Sequence, residues 1–306
     1  MESISGEVGN FEIKVRQYPR YVDMEKCIAC GICAEKCPKK VLSEYDAGLG
    51  KRKAIYVQYA QAVPLKYVID AENCIYFTKK KGKCKACVKF CPSEAINLDD
   101  QEKELTIKTG AVVLASGSRT ISPVRRDIYG YNRSPNVVTS LEFERILAAT
   151  GPYQGHLVRP SDEKEPEKIA WIQCVGSRDI HPETKPYCSA VCCTYAIKEA
   201  IVAKEHSKDP LDTAIFYIDM RTYGKDFERY YNRAKEAVVR FIKSKISNIV
   251  TVDDNGSQVI RYTDEAGRRV EEEFDLVVLS VGLESDPGLK GLAEKLGIEL
   301  DHHDFA

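Results

Sequence analysis

Apolar and polar positions follow two different periods in the second half of the chain. Short apolar runs, which predict buried strands, are separated by amphipathic stretches, which predict helices. The predicted strands are KIAWIQCVG, TAIFYIDM, VVRFIKS and DLVVLSVGL, and the predicted helices are SAVCCTYAIKEAIVAKE and DFERYYNRAKEA. Because strands that alternate with helices favour a parallel sheet, we expect a Rossmann-like α/β domain over residues 166–282.

Strand-like alternation also flanks a cysteine-rich stretch in the first half. GNFEIKV precedes this stretch, and KELTIKTGAVVLASG follows it as a predicted strand pair whose second strand is apolar and buried. The pattern resembles the end of the flavin domain in reductases with two dinucleotide-binding folds, where a buried strand ends in Ala-Thr-Gly beside the flavin. Ala115, Ser116 and Gly117 stand at the corresponding positions.

The Rossmann-like half lacks the usual phosphate-binding glycines. A dinucleotide-binding first strand is normally followed by G-x-G-x-x-G, whose glycines let the backbone approach the pyrophosphate. The chain has CVGSRD instead, and the acidic residue after the second strand, Asp219, lies 43 positions beyond Gly176, where about 20 are expected for a ribose contact. The sequence therefore argues against a complete NAD(P)H-dependent reductase.

Charge and hydropathy exclude several classes of partner. Lys and Arg number 45 against 46 for Asp and Glu, so no global charge attracts the chain to nucleic acid or to an anionic membrane. The N-terminus does not resemble a signal peptide, and the apolar runs are far shorter than the roughly 18 residues that a membrane span needs. We therefore expect a cytoplasmic protein.

Twelve cysteines are the most informative feature of the composition. A reducing cytoplasm argues against twelve half-disulfides, so another chemistry must require them. They fall into three groups of four, namely Cys27, Cys30, Cys33 and Cys37; Cys74, Cys84, Cys87 and Cys91; and Cys174, Cys188, Cys192 and Cys193.

The first two groups form a duplicated ferredoxin pattern. CIACGICAEKCP has the spacing of the bacterial ferredoxin run, and CIYFTKKKGKCKACVKFCP repeats its ending with a wider first gap. Zinc does not explain the third evenly spaced cysteine of the first run. In such proteins the fourth cysteine of each half binds the other cluster. The predicted ligand sets are Cys27, Cys30, Cys33 and Cys91 for cluster 1, and Cys37, Cys74, Cys84 and Cys87 for cluster 2.

The third group has an unusual spacing. Cys174 ends the first Rossmann-like strand, and the other three cysteines lie at the start of the next helix, where Cys188 and Cys192 share a helical face if the helix has begun by Cys188. The positive end of the helix dipole would stabilise an anionic cluster there. The spacing alone leaves an iron–sulfur cluster, zinc and buried structural cysteines as alternatives.

Several motifs, in order, resemble HdrA, the iron–sulfur flavoprotein of heterodisulfide reductase, and its bacterial relatives. They are PRYVD, GPYQGHLVRPSDEKEP, IQCVGSRD, YCSAVCC followed by YAIKEA, and FYIDMRTYG. The resemblance covers nearly all 306 residues and identifies the chain with a central portion of HdrA. It implies a third 4Fe–4S cluster near a flavin, with both adjacent cysteines as ligands. The implied ligands are Cys174, Cys188, Cys192 and Cys193.

The resemblance also implies FAD as a cofactor. Lys198 matches a family lysine close to the flavin ring, where a cation would stabilise the reduced, anionic flavin; the alternative is an ordinary exposed helix lysine. The G-x-G-x-x-G half of the flavin site is not in this chain, so a missing segment or a partner chain is expected to supply it. The implied flavin-binding residues of this chain are Ala115, Ser116, Gly117 and Gly282.

The predicted fold is α/β, a partial two-dinucleotide-binding (thioredoxin-reductase-like) fold with an inserted two-cluster ferredoxin-like α+β domain. The expected divisions are residues 1–20 (strands of a partial flavin domain), 21–104 (ferredoxin insert), 105–165 (return to the flavin domain and linker), 166–282 (Rossmann-like domain with the third cluster) and 283–306 (return toward the flavin domain).

The leading functional hypothesis is an electron-transfer component of a heterodisulfide-reductase-type complex, in which three 4Fe–4S clusters exchange electrons with FAD and many family members bifurcate electrons. Expected partners are the other proteins of the complex and a ferredoxin, hydrogenase or dehydrogenase. The alternatives are a self-contained polyferredoxin-like carrier without flavin and a zinc-stabilised interaction protein.

Overall fold

The computed structural model describes residues 1–79, 83–252 and 256–306, which form two compact units. Unit 1 comprises residues 1–117 and 285–306, and unit 2 comprises residues 118–284. The strands are β1 (Ser3–Glu7), β2 (Asn10–Gln17), β3 (Lys40–Leu42), β4 (Lys51–Lys53), β5 (Ile55–Tyr56), β6 (Val68–Ile69), β7 (Lys103–Thr109), β8 (Ser118–Thr120), β9 (Val137–Thr139), β10 (Lys168–Val175), β11 (Asp212–Tyr217), β12 (Arg240–Lys243), β13 (Ile249–Thr251), β14 (Gln258–Thr263), β15 (Arg269–Phe274), β16 (Leu276–Val281) and β17 (Leu283–Ser285). The helices are α1 (Ile32–Lys36), α2 (Ile75–Thr78), α3 (Ala86–Lys89), α4 (Ser140–Leu147), α5 (Cys192–His206), α6 (Phe227–Glu236) and α7 (Gly288–Leu296), with a 3₁₀ turn at Pro123–Arg126.

Unit 1 contains a three-stranded antiparallel sheet in the order β1-β2-β7. Strands β2 and β7 flank the cysteine-rich stretch in the sequence and are hydrogen-bonded neighbours in the sheet. Their apolar residues lie opposite one another, with Ile13 facing Ile107 and Val15 facing Leu105. Apolar cross-strand pairs stabilise an antiparallel sheet, so the alternating pattern on each side of the stretch fixes this register.

The cysteine-rich stretch shows its duplication in the backbone. The carbonyl of Asp23 accepts the N–H of Cys27 at 3.0 Å, and the carbonyl of Asp70 accepts the N–H of Cys74 at 2.9 Å. The amide of each aspartate in turn donates to the carbonyl of a buried alanine, at 2.7 Å and 2.8 Å respectively. The two matching lead-ins in the sequence therefore form two matching turns.

The apolar segment at residues 111–117 does not form the predicted buried strand. No strand is assigned to it in the described structure, and Val113 is 88 % exposed. A strand needs a neighbour to satisfy its backbone N–H and C=O groups, and the described residues provide none for this segment. The prediction of a buried strand ending at Ala115, Ser116 and Gly117 is therefore wrong for this structure.

Unit 2 is built on a five-stranded, wholly parallel sheet in the order β12-β11-β10-β16-β9. All four strands predicted for the second half belong to it, as β10, β11, β12 and β16. The chain proceeds from β10 to β11 on one side, whereas β16 and β9 lie on the other. The carboxyl ends of β10 and β16 thus flank the position where strand order reverses, which is where ligands bind in open α/β sheets.

A fully buried carboxyl group lies in the core of unit 2. Trp171 of β10 is fully buried, stacks edge to face on Phe143 at 5.5 Å between centroids, and donates its indole N–H to Glu199 of α5 at 2.8 Å. Burial raises the pKa of Glu199 well above its usual value. This hydrogen bond offsets part of the cost of burying the carboxyl group.

Helix α4 begins with a capping box that can be tested directly. The Thr139 hydroxyl accepts the N–H of Glu142 at 3.3 Å, and the Glu142 carboxylate accepts the N–H of Thr139 at 2.6 Å. We expect Thr139→Ala to lower the free energy of unfolding by about 1 kcal/mol. Urea denaturation followed by circular dichroism measures the change. Thr139→Ser, which keeps the hydroxyl, should stay close to the wild type, and an alanine variant of unaltered stability would contradict the capping role.

Candidate iron–sulfur sites

One cavity in unit 1 is lined by four cysteines from both halves of the repeat. Its cysteines are Cys27, Cys30, Cys33 and Cys91. Burial, with contributions from the neighbouring Cys27 and Cys30, raises the pKa of Cys33 to about 12. Cys30 is the exposed member of the set. These are the four residues that the crossed ferredoxin pattern assigns to cluster 1.

The backbone around this cavity is arranged to direct several cysteines to one point. Ala29 and Gly31 have φ of 56° and 84°, so the chain turns sharply twice within the CIACGIC loop. In the other half, the N–H of Ala95 donates to the Cys91 sulfur at 3.3 Å. Backbone N–H groups aimed at cysteine sulfurs stabilise the thiolate form that binds iron.

A second cavity carries the complementary set. Its cysteines are Cys37, Cys74, Cys84 and Cys87. Burial and the nearby Cys74 raise the pKa of Cys87 to about 11. The remaining lining is largely apolar and includes Ala54, Ile55 and Ile69. Each cavity thus takes three cysteines from one half of the repeat and the fourth from the other half.

The residues of both cavities fit a 4Fe–4S cluster in number and chemistry. All twelve cysteines are free thiols, and four thiolates are the usual ligand set of such a cluster. Across the described residues, no group of three or more Cys, His, Asp or Glu side chains is arranged to hold a single metal ion. The eight ferredoxin thiols instead surround two separate cavities.

The third group lies at the carboxyl edge of the parallel sheet in unit 2. The pairing of β10 with β16 is irregular between Ile172 and Val175, and Cys174, in this irregularity, has φ of 62°. Cys192 and Cys193 are the first two residues of α5 and are buried. Cys188 lies in the preceding loop, because α5 begins only at Cys192. Cys188 and Cys192 therefore do not share a helical face.

The four thiols of this third group lie close enough together to influence one another electrostatically. Burial raises the pKa of Cys192 to about 12, and Cys174, Cys193 and Cys188 all contribute to the rise. Helix α5 has 15 residues, and its first-turn N–H groups receive no side-chain cap. The positive end of its dipole therefore faces two thiols and favours their anionic form. These features suit a thiolate-bound cluster.

The residues predicted to touch the flavin have other contacts within this chain. Gly282 donates its N–H to Val175 at 2.9 Å and accepts from Ile121 at 2.8 Å, and a Cβ at this position would collide with the Ser177 hydroxyl. Lys198 forms an ion pair with Glu144 of α4. The flavin contacts of Gly282 and Lys198 remain predictions.

Sequence analysis did not predict a role for three side chains beside the third group. The Tyr195 hydroxyl donates to the Val281 carbonyl at 2.8 Å, and the Cys192 sulfur lies 3.5 Å from the same oxygen. Arg178 forms an ion pair with Asp219, as does Arg221. The three-residue spacing of Cys192 and Tyr195 on one helix was an available signal, whereas the approach of Arg178 to Asp219 depends on two loops that meet only in the fold.

Comparison with known proteins agrees with this chemistry. A family model described as a 4Fe-4S binding domain matches residues 20–43, which include the first cysteine run. The iron–sulfur HdrA protein of the CoB–CoM heterodisulfide reductase from Methanocaldococcus jannaschii is 42 % identical over 308 residues, covering 100 % of this chain and 45 % of the relative. Over its whole length the chain is similar to a portion of HdrA, the iron–sulfur protein of heterodisulfide reductase. This confirms the resemblance seen in the motifs.

Two further HdrA proteins show the same extent of similarity. The one from the H2/formate:CoB–CoM heterodisulfide, ferredoxin reductase of Methanococcus maripaludis is 42 % identical over 98 % of this chain and 44 % of its own length. Its counterpart in the H2:CoB–CoM heterodisulfide, ferredoxin reductase of Methanothermobacter marburgensis is 36 % identical over 97 % of this chain and 44 % of its own length. The chain thus spans a little under half the length of these HdrA relatives.

The similarity to solved structures is low, and the helices of this chain are short. A solved structure of 2-naphthoyl-CoA reductase covers 60 % of this chain and 21 % of its own at 15 % identity and a TM-score of 0.34, a likeness too low to support any argument about fold. None of the helices in the described ranges has both the length and the apolar character that crossing a bilayer requires.

Proposed function

We propose that this chain is an electron-transfer component of a heterodisulfide-reductase-type complex and relays electrons between FAD and three 4Fe–4S clusters. The observation that carries the proposal is the pair of cavities in unit 1, each lined by four free thiols in the crossed ferredoxin combination. When bound, such clusters exchange single electrons and FAD exchanges electron pairs. The chain would act as an oxidoreductase subunit that moves electrons and leaves substrate chemistry to other proteins of the complex.

The residues of the chain have three tasks in this function. The thiolates hold the clusters, and backbone N–H groups such as that of Ala95 stabilise the sulfurs. Apolar residues around the second cavity exclude water from the sulfurs, and solvent exposure is one determinant of a cluster's reduction potential. The exposed Cys30 gives cluster 1 the most accessible ligand of its set, which makes it our proposed point of exchange with a ferredoxin-like partner.

The third cluster is proposed at Cys174, Cys188, Cys192 and Cys193. Its place at the carboxyl edge of β10, at the first turn of α5, is where a Rossmann-like domain usually binds the phosphates of a dinucleotide. The donor set supports the assignment, since four thiols interact there at a positive helix end. We propose that this cluster lies on the electron path nearest the flavin.

FAD is proposed to bind between this chain and a segment or partner that carries the G-x-G-x-x-G motif. The exposed apolar residues Val112 and Val113 support this proposal, because an unpaired apolar segment is suited to becoming a strand against further residues. We further propose a domain organisation in which the two-cluster ferredoxin insert occupies residues 21–104. Association with other proteins of the complex, location in the cytoplasm and participation in electron bifurcation belong to the same proposal.

Flavin binding distinguishes the proposal from a polyferredoxin-like carrier. FAD retention would be measured by anaerobic gel filtration for this chain alone and for this chain with a separately produced polypeptide that carries the phosphate-binding half. We expect the mixture to retain FAD, and reduced ferredoxin to bleach the flavin and cluster absorbance of the mixture. Clusters that reduce normally in a mixture that never retains FAD would instead support the carrier.

A further inference from the structure

Two arginines and one aspartate form a charged array beside the third cysteine group. Arg221 donates to the Asp219 carboxylate from Nε at 3.2 Å and from Nη2 at 3.1 Å. Arg178 donates to the same carboxylate, with Nη2 at 3.4 Å and a shorter contact through Nη1. Asp219 is paired with both guanidinium groups, and side chains of these types are ionised at neutral pH, so the array holds two positive charges and one negative charge.

The array is connected to the cysteine loops through the backbone as well as through side chains. The N–H of Arg178 donates to the Tyr187 carbonyl at 3.0 Å, next to Cys188. The Cys193 sulfur lies 4.0 Å from the Asp219 carbonyl. The Arg178 guanidinium also lies close enough to the Cys174 thiol to interact with it electrostatically. Residues of the array therefore lie beside Cys174, Cys188 and Cys193.

The position of these charges follows from the fold. Cys174 lies at the carboxyl end of β10 and Arg178 follows in the next loop, while Asp219 and Arg221 follow the carboxyl end of the neighbouring strand β11. Parallel strands bring these ends to one edge of the sheet. The motifs IQCVGSRD and FYIDMRTYG thus meet at the third cysteine group. Asp219, which stands where a ribose-binding acidic residue was considered, is instead bound by two guanidinium groups.

We propose that Arg178 and Arg221, held by Asp219, raise the reduction potential of the 4Fe–4S cluster at the third cysteine group. This inference rests on the proposed third cluster. A thiolate-bound cluster gains one negative charge when it is reduced, and a nearby net positive charge stabilises that reduced state. The side chains of Arg178 and Arg221 are 21 % and 31 % exposed, so solvent screens their charges only in part.

The test is a redox titration of the whole chain, loaded with clusters under anaerobic conditions and followed by electron paramagnetic resonance. The signal of the third cluster is the one that disappears in Cys193→Ser. In Arg178→Gln we expect the ratio of reduced to oxidised third cluster at a fixed potential to fall about tenfold, which is about 59 mV for one electron. Asp219→Asn, which removes the negative charge, should shift the potential in the opposite direction.

Arg261→Gln is the control for removing an arginine charge elsewhere in unit 2, because Arg261 forms an ion pair with Glu271 on the antiparallel hairpin at 2.6 Å. It should leave the potential of the third cluster unchanged. If Arg178→Gln loses the cluster, Arg221→Gln provides the same measurement, since its side chain contacts Asp219. An unshifted potential in a variant that retains its iron, or shifts of the same sign in Arg178→Gln and Asp219→Asn, would overturn the inference.

Failure of this inference is distinguishable from failure of the proposed function. Wild-type chain with about 8 irons, and no resonance that depends on Cys193, would show that the third cluster itself is absent. Wild-type chain with about 12 irons and a third potential insensitive to both arginines would refute only the role of the array.

Discussion

Replacing Cys193 by serine is expected to lower the iron content of the anaerobically purified chain from about 12 to about 8 atoms, with a parallel loss of acid-labile sulfide. Cys193 is buried in the first turn of α5, and the carboxylate of nearby Asp219 is already paired with Arg178 and Arg221. A serine oxygen is a harder ligand than a thiolate and suits the cluster poorly. The whole third cluster should therefore be lost.

The measurement should include zinc and a neighbouring control. Thr194→Ser changes the next residue of α5 without altering a thiol, and it should retain about 12 irons. About 8 irons in wild type and variant alike would mean that only the ferredoxin cysteines bind clusters, leaving Cys192 and Cys193 as buried structural cysteines. About one zinc per wild-type chain, lost in the variant, would support the zinc alternative instead.

The elements that the sequence predicts well are those whose signal is local and periodic. Strands β10, β11 and β16 are apolar runs buried on both faces, and their pattern predicts a parallel sheet without further information. The two ferredoxin runs are also local, since three cysteines within seven residues already define most of one ligand set. The structure contains these elements as predicted because they depend little on contacts between distant segments.

The parts that the sequence did not predict depend on contacts between distant segments. Residues 111–117 have the composition of a buried strand, yet a strand forms only where another strand supplies hydrogen-bond partners. The start of α5 at Cys192 and the left-handed backbone at Cys174 are set by packing at the carboxyl edge of the sheet. Likewise, the pairing of Arg178 with Asp219 joins loops 41 residues apart.

The crossed assignment of the ferredoxin cysteines predicts that iron loss is additive in one double variant and not additive in another. Cys37→Ser with Cys74→Ser removes two ligands of the same cluster, so about 8 of about 12 irons should remain. Cys37→Ser with Cys27→Ser removes one ligand from each ferredoxin cluster, and only about 4 irons should remain. If each run instead held its own cluster, the first pair would destroy both clusters and the second pair only one, so the two outcomes would be exchanged.

The geometry supports the crossed result, because the fourth cysteine of each run lines the cavity of the other run. Cys37 lies in the cavity with Cys74, and Cys91 lies in the cavity with Cys27. Iron and sulfide analysis of the three single variants and the two double variants is sufficient. Each single variant should lose about 4 irons, which excludes general collapse of the ferredoxin fold as the cause of larger losses. The comparison depends only on which cysteines share a cluster, so it tests the exchange of ligands between the two halves independently of the flavin and of the third cluster.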